Sequence, residues 1–122
     1  MRVLVVDDNR DCADTLVVLL RHLGHEGQGS YDADSGLAAA QTFLPQLVLL
    51  DLAMPAKDGF SLLRKLRNGA GFAKTPIVAM TGYADGRHRE EAAKAGFDAY
   101  LVKPCGLEDL RVILLAFDGA KP

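Results

Sequence analysis

The sequence has few of the features that mark secreted, membrane-inserted or nucleic-acid-binding proteins. Its two cysteines are too few for a disulfide framework and lack the spacing of a metal site. No apolar run approaches the roughly 20 residues of a membrane span, and the net charge of −2 gives no basic footprint for nucleic acid. We therefore expect a cytoplasmic protein without an export signal, membrane insertion or direct nucleic-acid binding.

The sequence does have a regular alternation of apolar runs and helical patterns. Its 122 residues, 49% of them hydrophobic, suit one compact domain. Strand-like and helix-like segments alternate along the whole chain, which is typical of an α/β protein with a parallel sheet covered by helices on both faces. The predicted domain covers residues 1–117, and the polar, breaker-rich residues 118–122 are expected to form a tail or linker stub.

The strand signals differ in strength along the chain. The run Leu47–Leu50 is entirely aliphatic and predicts a strand buried on both faces. Val3–Val6 gives a similar signal, whereas His25–Tyr31 contains two glycines and predicts a weak strand at a sheet edge. Ile77–Met80 and Ala99–Val102 predict the remaining strands.

Helix boundaries are indicated by capping residues and glycines. Asn9 is expected to cap the first helix, and either Asp32 or Asp34 the second. Gly59 permits the turn into the third helix. The last helix is predicted to end at Phe117.

Polar groups stand where four of the predicted strands end, at Asp7–Asp8, Asp51, Thr81 and Lys103. The carboxyl ends of parallel strands lie along one edge of a sheet, so these groups are expected to meet. Clustered carboxylates repel one another unless a cation intervenes, and an all-oxygen cluster suits Mg²⁺. With a lysine and a hydroxyl nearby, the set suits a carboxylate nucleophile that attacks phosphorus.

With these residues in this order, the chain resembles the receiver domain of bacterial two-component response regulators over nearly its whole length. The resemblance is carried by Asp7–Asp8, Asp51, Met54–Pro55, Gly59, Thr81, Tyr100 and Lys103–Pro104. It implies a flavodoxin-like, doubly wound (βα)5 fold with strand order 2-1-3-4-5. The run Thr81–Ala84 also resembles receivers attached to hybrid histidine kinases, which leaves open a module of a longer chain.

The resemblance further implies that Asp51 is the phosphorylation site. It implies that Mg²⁺ is held by Asp8, Asp51 and the main-chain carbonyl of Ala53, with Asp7 assisting largely through water. A cis peptide bond before Pro104 is implied as well.

The same resemblance implies how the signal is read. Lys103 and Thr81 are expected to contact the phosphoryl group, and Thr81 and Tyr100 are the implied switch residues. The fourth helix, fifth strand and fifth helix would form the responding face. The implied partners are a histidine kinase or histidine phosphotransfer protein and a downstream protein target, with the chain a monomer or a phosphorylation-dependent dimer.

Two other functions fit parts of the pattern. A phosphatase of the haloacid-dehalogenase type also uses an aspartate nucleophile at a strand end, but usually has a second aspartate where Ala53 stands here. A phosphorylation-independent adaptor would not need the complete set of acidic, hydroxyl and lysine groups. Cys12 and Cys105 fall in two loops that the implied fold brings together, and we interpret them as small apolar residues in preference to a redox pair.

Overall fold

The structure, a computed structural model, describes residues 1–52, 54, 59–69, 71–82 and 86–118, without the side chains of residues 86–88. Within these residues, strands and helices alternate strictly along the chain. The strands are β1 (Arg2–Val6), β2 (Glu26–Ser30), β3 (Leu47–Asp51), β4 (Ile77–Thr81) and β5 (Ala99–Val102). The helices are α1 (Arg10–His22), α2 (Ala33–Phe43), α3 (Gly59–Asn68), α4 (Gly86–Ala95) and α5 (Leu107–Asp118).

The strands form one parallel sheet in the order β2-β1-β3-β4-β5. This confirms the predicted fold class and strand order. The central strand β3 is buried along its whole length, as its aliphatic run predicts. The glycine-bearing strand β2 lies at the edge, one residue shorter at each end than predicted.

Alternating residues of the strands supply two separate cores, one on each face of the sheet. Leu4 and Val6 of β1 pack in a cluster with α2, α3 and α4. Val3 and Val5 pack in a second cluster with α1 and α5. This arrangement is the doubly wound architecture, since a strand with both faces covered has no polar face.

Capping residues act as the sequence predicts. Asn9 precedes α1, and its side chain accepts a hydrogen bond from the backbone N–H of Cys12. Of the two candidates for α2, the cap is Asp32, which accepts from the N–H of Ser35 at 2.7 Å. The first helix is followed by Gly24 at φ +88°, a conformation that favours glycine.

One helix end differs from the prediction, and another predicted end falls outside the described residues. Helix α5 continues through Asp118, one residue past the predicted end at Phe117, and residues 119–122 lie outside the described residues. The sequence pattern also predicts a fourth helix from Asp85 to Ala95, and its predicted first residue lies outside the described residues. None of the described helices has the length and apolar character that a bilayer span requires.

Helix α4 differs from the other helices in how little it buries. Among its described side chains, from Arg89 to Ala95, only Ala92 is buried. Helix α3, by comparison, buries Gly59, Leu62, Leu63 and Leu66. The described side chains of α4 therefore make only a small apolar contact with the rest of the domain.

Arg67 of α3 joins several segments at the edge of the sheet opposite the carboxyl ends of the strands. Its guanidinium donates to the carbonyl oxygens of Phe72 at 2.9 Å, Thr75 at 2.6 Å and Gly96 at 3.1 Å. It also pairs with Asp98 Oδ2 at 2.7 Å, and the same oxygen accepts the N–H of the first β4 residue at 2.8 Å. One side chain thus joins α3, the loop before β4 and the loop after α4.

We expect Arg67→Ala to lower the free energy of unfolding by about 2–3 kcal/mol, because it leaves several carbonyl oxygens and one carboxylate without their charged donor. Urea unfolding measures this change. Arg64→Ala, an exposed arginine on the same helix, serves as the control and should stay within about 0.5 kcal/mol of the native chain. Equal losses in the two variants would contradict the assigned role.

Candidate functional site

Four strands bring polar side chains to one edge of the sheet. Asp7 comes directly after β1, Asp51 is the last residue of β3, Thr81 is the last residue of β4, and Lys103 comes directly after β5. These strands are successive neighbours in a parallel sheet, so their carboxyl ends are adjacent. The groups that the sequence singles out are therefore brought together.

Three carboxylates, those of Asp7, Asp8 and Asp51, form the acidic cluster of this edge. Each offers an oxygen, and these oxygens lie within 4.8 Å of one another. Asp7 is 0% and Asp51 3% exposed, whereas Asp8 is exposed to solvent. The side-chain oxygens at the bottom of the cluster are thus held away from water, while one carboxylate faces it.

The donor set fits a hard divalent cation. The three carboxylates of the cluster repel one another unless positive charge lies between them. Carboxylate oxygens at this spacing, with one open side, suit Mg²⁺, which takes one or two carboxylates and keeps several waters. The predicted fourth ligand, the Ala53 carbonyl, lies outside the described residues.

Lys103 places a positive charge against the acidic cluster. Its Nζ lies 2.6 Å from Asp7 Oδ2 and 3.3 Å from Asp51 Oδ2, as ion pairs. The sequence predicts that Lys103 can reach Asp51 or a phosphoryl oxygen, and the structure adds a closer contact with Asp7. The peptide bond to Pro104 is cis, as predicted. Burial opposes the charged form of Lys103, but the two carboxylates outweigh it and raise its pKa.

Asp7 is also held by the first turn of α1. Its Oδ1 accepts the backbone N–H of Asn9 at 2.9 Å. Burial alone would raise the pKa of Asp7, but Lys103, this N–H and the thiol of Cys12 together lower it. Asp7 is therefore an ionised carboxylate with donors on both sides.

The two thiols beside this edge are poor nucleophiles. Burial, together with the carboxylate of Asp7, raises the pKa of Cys12 to about 11. Burial also raises the pKa of Cys105. Both cysteines are free, half-buried and packed against the core that contains α1 and α5. Thiols that stay protonated at neutral pH react slowly with disulfides, which favours their interpretation as small core residues.

The two predicted switch residues lie at different depths. Thr81 is 2% exposed, and its carbonyl oxygen accepts the N–H of Lys103 at 2.7 Å. Tyr100 is half-buried and packs against the core beneath α4. The guanidinium of Arg89 lies 5.4 Å from the centre of its ring, within the range of a cation–π contact. The sequence marks Arg89 only as a surface charge, since nothing in a helix pattern indicates which ring a residue meets.

Gly59 has a role that the sequence assigns incorrectly. It is not among the glycines with positive φ, so no special turn conformation requires it. Instead, a Cβ at this position would overlap the carbonyl oxygen of Asp51 and lie 3.0 Å from Leu52 Cα. Glycine therefore lets the start of α3 approach the backbone of the candidate phosphorylation site.

Comparison with known proteins identifies the family of this chain. Residues 3–115 match the response regulator receiver domain family. An uncharacterised 14.6 kDa protein of Leptolyngbya boryana is 36% identical over 114 residues, which are 93% of this chain and 87% of that protein. The chain therefore belongs to the response regulator receiver domain family. Such domains are signalling domains of two-component systems and not classical enzymes.

Solved structures agree with this assignment. The chemotaxis protein CheY4 of Vibrio cholerae has a TM-score of 0.89 at 28% identity, over 95% of this chain and 97% of that one. The receiver domain of the sensor histidine kinase PA1611 from Pseudomonas aeruginosa PAO1 has a TM-score of 0.86 at 29% identity, over 98% of each chain. That structure has a magnesium ion coordinated in its active-site cleft.

Other relatives are longer than this chain. It spans 48% of the transcriptional regulatory protein DltR of Streptococcus agalactiae, with which it is 34% identical over 110 residues. It spans 13% of a gliding motility regulatory protein of Myxococcus xanthus, at 35% identity over 103 residues.

Proposed function

We propose that this chain accepts a phosphoryl group on Asp51 from a phosphohistidine donor and thereby switches a protein-interaction face. The proposal is carried by one observation. Asp51 is a buried carboxylate at the end of the central strand, with an ammonium group 3.3 Å away and two further carboxylates beside it.

The transfer is a displacement at phosphorus. A carboxylate oxygen of Asp51 forms the new P–O bond, and the P–N bond of the phosphohistidine breaks with its electron pair returning to the imidazole. Lys103 and the hydroxyl of Thr81 are proposed to bind the phosphoryl oxygens as they gain charge. Hydrolysis of the resulting acyl phosphate returns the carboxylate, so the cycle resets without a separate catalyst.

Asp8, Asp51 and the Ala53 carbonyl are the proposed Mg²⁺ ligands, with Asp7 assisting largely through water. When bound, Mg²⁺ neutralises the charge that the phosphoryl oxygens add to an already acidic site. The meeting of three carboxylate oxygens within 4.8 Å of one another supports a cation at this edge.

Thr81 and Tyr100 are the proposed switch residues, and α4, β5 and α5 the proposed responding face. A histidine kinase or phosphotransfer protein would supply the phosphoryl group, and a protein target would read the face in the cytoplasm. Because the matched region is about half or less of the length of two of these relatives, the chain is proposed to act within, or beside, a larger signalling protein.

Intact mass spectrometry after incubation with acetyl phosphate and Mg²⁺ tests the proposal. We expect the mass of one added phosphoryl group on the native chain, and none without Mg²⁺ or on Asp51→Asn. An adduct that persists in Asp51→Asn would place the acceptor elsewhere. No adduct on the native chain would favour a binding adaptor, and continuous turnover of small phosphoesters would favour a phosphatase.

A further inference from the structure

The two oxygens of the Asp7 carboxylate have different surroundings. Oδ2 lies 2.6 Å from the Lys103 ammonium group, on the side of the acidic cluster. Oδ1 is held on the other side by the N–H of Asn9 at 2.9 Å. One oxygen is thus fixed by the backbone so that the other is directed at the site.

The backbone of Asn9 is itself fixed by the start of α1. Asn9 has an extended backbone, φ −80° and ψ 103°, and its own side-chain oxygen accepts the N–H of Cys12 at 3.1 Å. Its main chain therefore binds Asp7 while its side chain holds the first helical turn. A residue that cannot cap would let this turn fray.

We propose that the Asn9 cap is a positioning group that holds Asp7 with its Oδ2 toward Lys103 and the acidic cluster, and thereby sets the affinity of the site for Mg²⁺. The inference rests on the proposed function, since it takes the acidic cluster to be a Mg²⁺ site. A pre-oriented ligand loses less conformational freedom on binding. Loss of the cap should therefore weaken Mg²⁺ binding through Asp7, although Asn9 itself is not a ligand.

The test is titration of the unphosphorylated protein with MgCl₂ at physiological salt, followed by NMR of backbone amides. We expect Asn9→Ala to weaken Mg²⁺ binding roughly two- to fivefold, the range that loss of a helix cap allows. Asn9→Ser, which keeps a capping oxygen, should restore most of the affinity.

A second cap in the chain provides the matched control. Asp32 caps α2, the next helix along the chain, so Asp32→Ala should lose comparable stability in urea without the same loss of affinity. Asp32→Asn keeps a cap and removes the charge, which separates a long-range electrostatic effect from loss of the cap. If Asn9→Ala and Asp32→Ala weaken binding equally, the change reflects stability alone and the inference is wrong.

Equal affinity for the native chain and Asn9→Ala would overturn the inference while leaving Asp51 as acceptor. A native chain that binds no Mg²⁺ would overturn both the inference and the proposed metal site.

Discussion

Lys103→Met is expected to lower the free energy of unfolding by about 2–4 kcal/mol at neutral pH, because it leaves buried carboxylates without their counter-ion. Asp7 is 0% and Asp51 3% exposed, and both lie within 3.3 Å of the ammonium group that the variant removes. Methionine retains the length of the side chain, so the loss reports mainly on the charge.

The pH dependence of this loss has a definite sign. In the native chain the pKa of Asp7 is lowered from 3.8, so its contribution to stability is present above that value and disappears as the pH falls through the lower folded value. The pKa of Lys103 is raised from 10.5, so its contribution is present below that value and disappears as the pH rises through the higher folded value. The pair therefore stabilises the native chain throughout the neutral range.

At mildly acidic pH, protonation of Asp7 should stabilise Lys103→Met, whereas it destabilises the native chain. Without Lys103, burial is the dominant influence on Asp7 and raises its folded pKa above the unfolded value. Acidification then protonates the buried carboxylate and stabilises the fold. The difference in stability between the native chain and Lys103→Met should accordingly shrink as the pH falls from 7 towards 4.

Urea unfolding at several pH values measures both effects. Lys65→Met, which removes an exposed lysine of α3, is the control for loss of charge alone and should change little. Adding Asp7→Asn to Lys103→Met should recover part of the stability, because it removes one of the uncompensated charges. If the stability lost in Lys103→Met grew on acidification, Asp7 would not be the main source of that loss.

Gly59→Ala is expected to be the most damaging single-methyl substitution at the candidate site. The added Cβ would overlap the Asp51 carbonyl oxygen, which is backbone and cannot rotate away as a side chain can. Relief requires the start of α3 and the end of β3 to separate, and overpacking of this kind costs about 1–3 kcal/mol, occasionally more. Because Asp51 carries both that carbonyl and the candidate acceptor, phosphorylation by acetyl phosphate should slow as well.

The matched control lies at the other end of the same helix. A Cβ at Gly69 would meet nothing within 4 Å, so Gly69→Ala should leave stability within about 0.5 kcal/mol of the native value. Thermal unfolding and the rate of phosphoryl incorporation measure the two consequences. A Gly59→Ala protein with native stability and native rate would show that the approach of α3 to β3 is not tight.

Much of this fold is predictable from local patterns and from the family resemblance. The aliphatic run before Asp51 indicates a strand covered on both faces, and the residues that end the strands indicate one polar edge, because a parallel sheet collects those ends. Asn9 is recognisable as a cap from its place before a helical pattern. The resemblance adds the strand order and the cis bond before Pro104.

The remaining contacts depend on distances that no local pattern contains. Arg67 and Asp98 are 31 residues apart and meet only because α3 ends and β5 begins at the same edge. The closer approach of Lys103 to Asp7 than to Asp51 depends on the depth at which each carboxylate is buried. In sequence, Gly59 has the pattern of a turn residue. Only the folded structure shows that the nearby backbone of β3 leaves no room for a Cβ, and that a special backbone φ is not the reason for glycine.

The sparse burial of α4 has a consequence for how a partner could use this domain. Local unfolding free energy follows the buried contacts of an element, so a helix with one buried residue among its described side chains is inexpensive to shift. A protein that prefers another arrangement of α4 would need little of its binding energy to obtain it. The Arg67 contacts hold the carboxyl-terminal end of the helix at Gly96, so such a shift would be a rotation about that end, with its largest displacement near the phosphoacceptor edge.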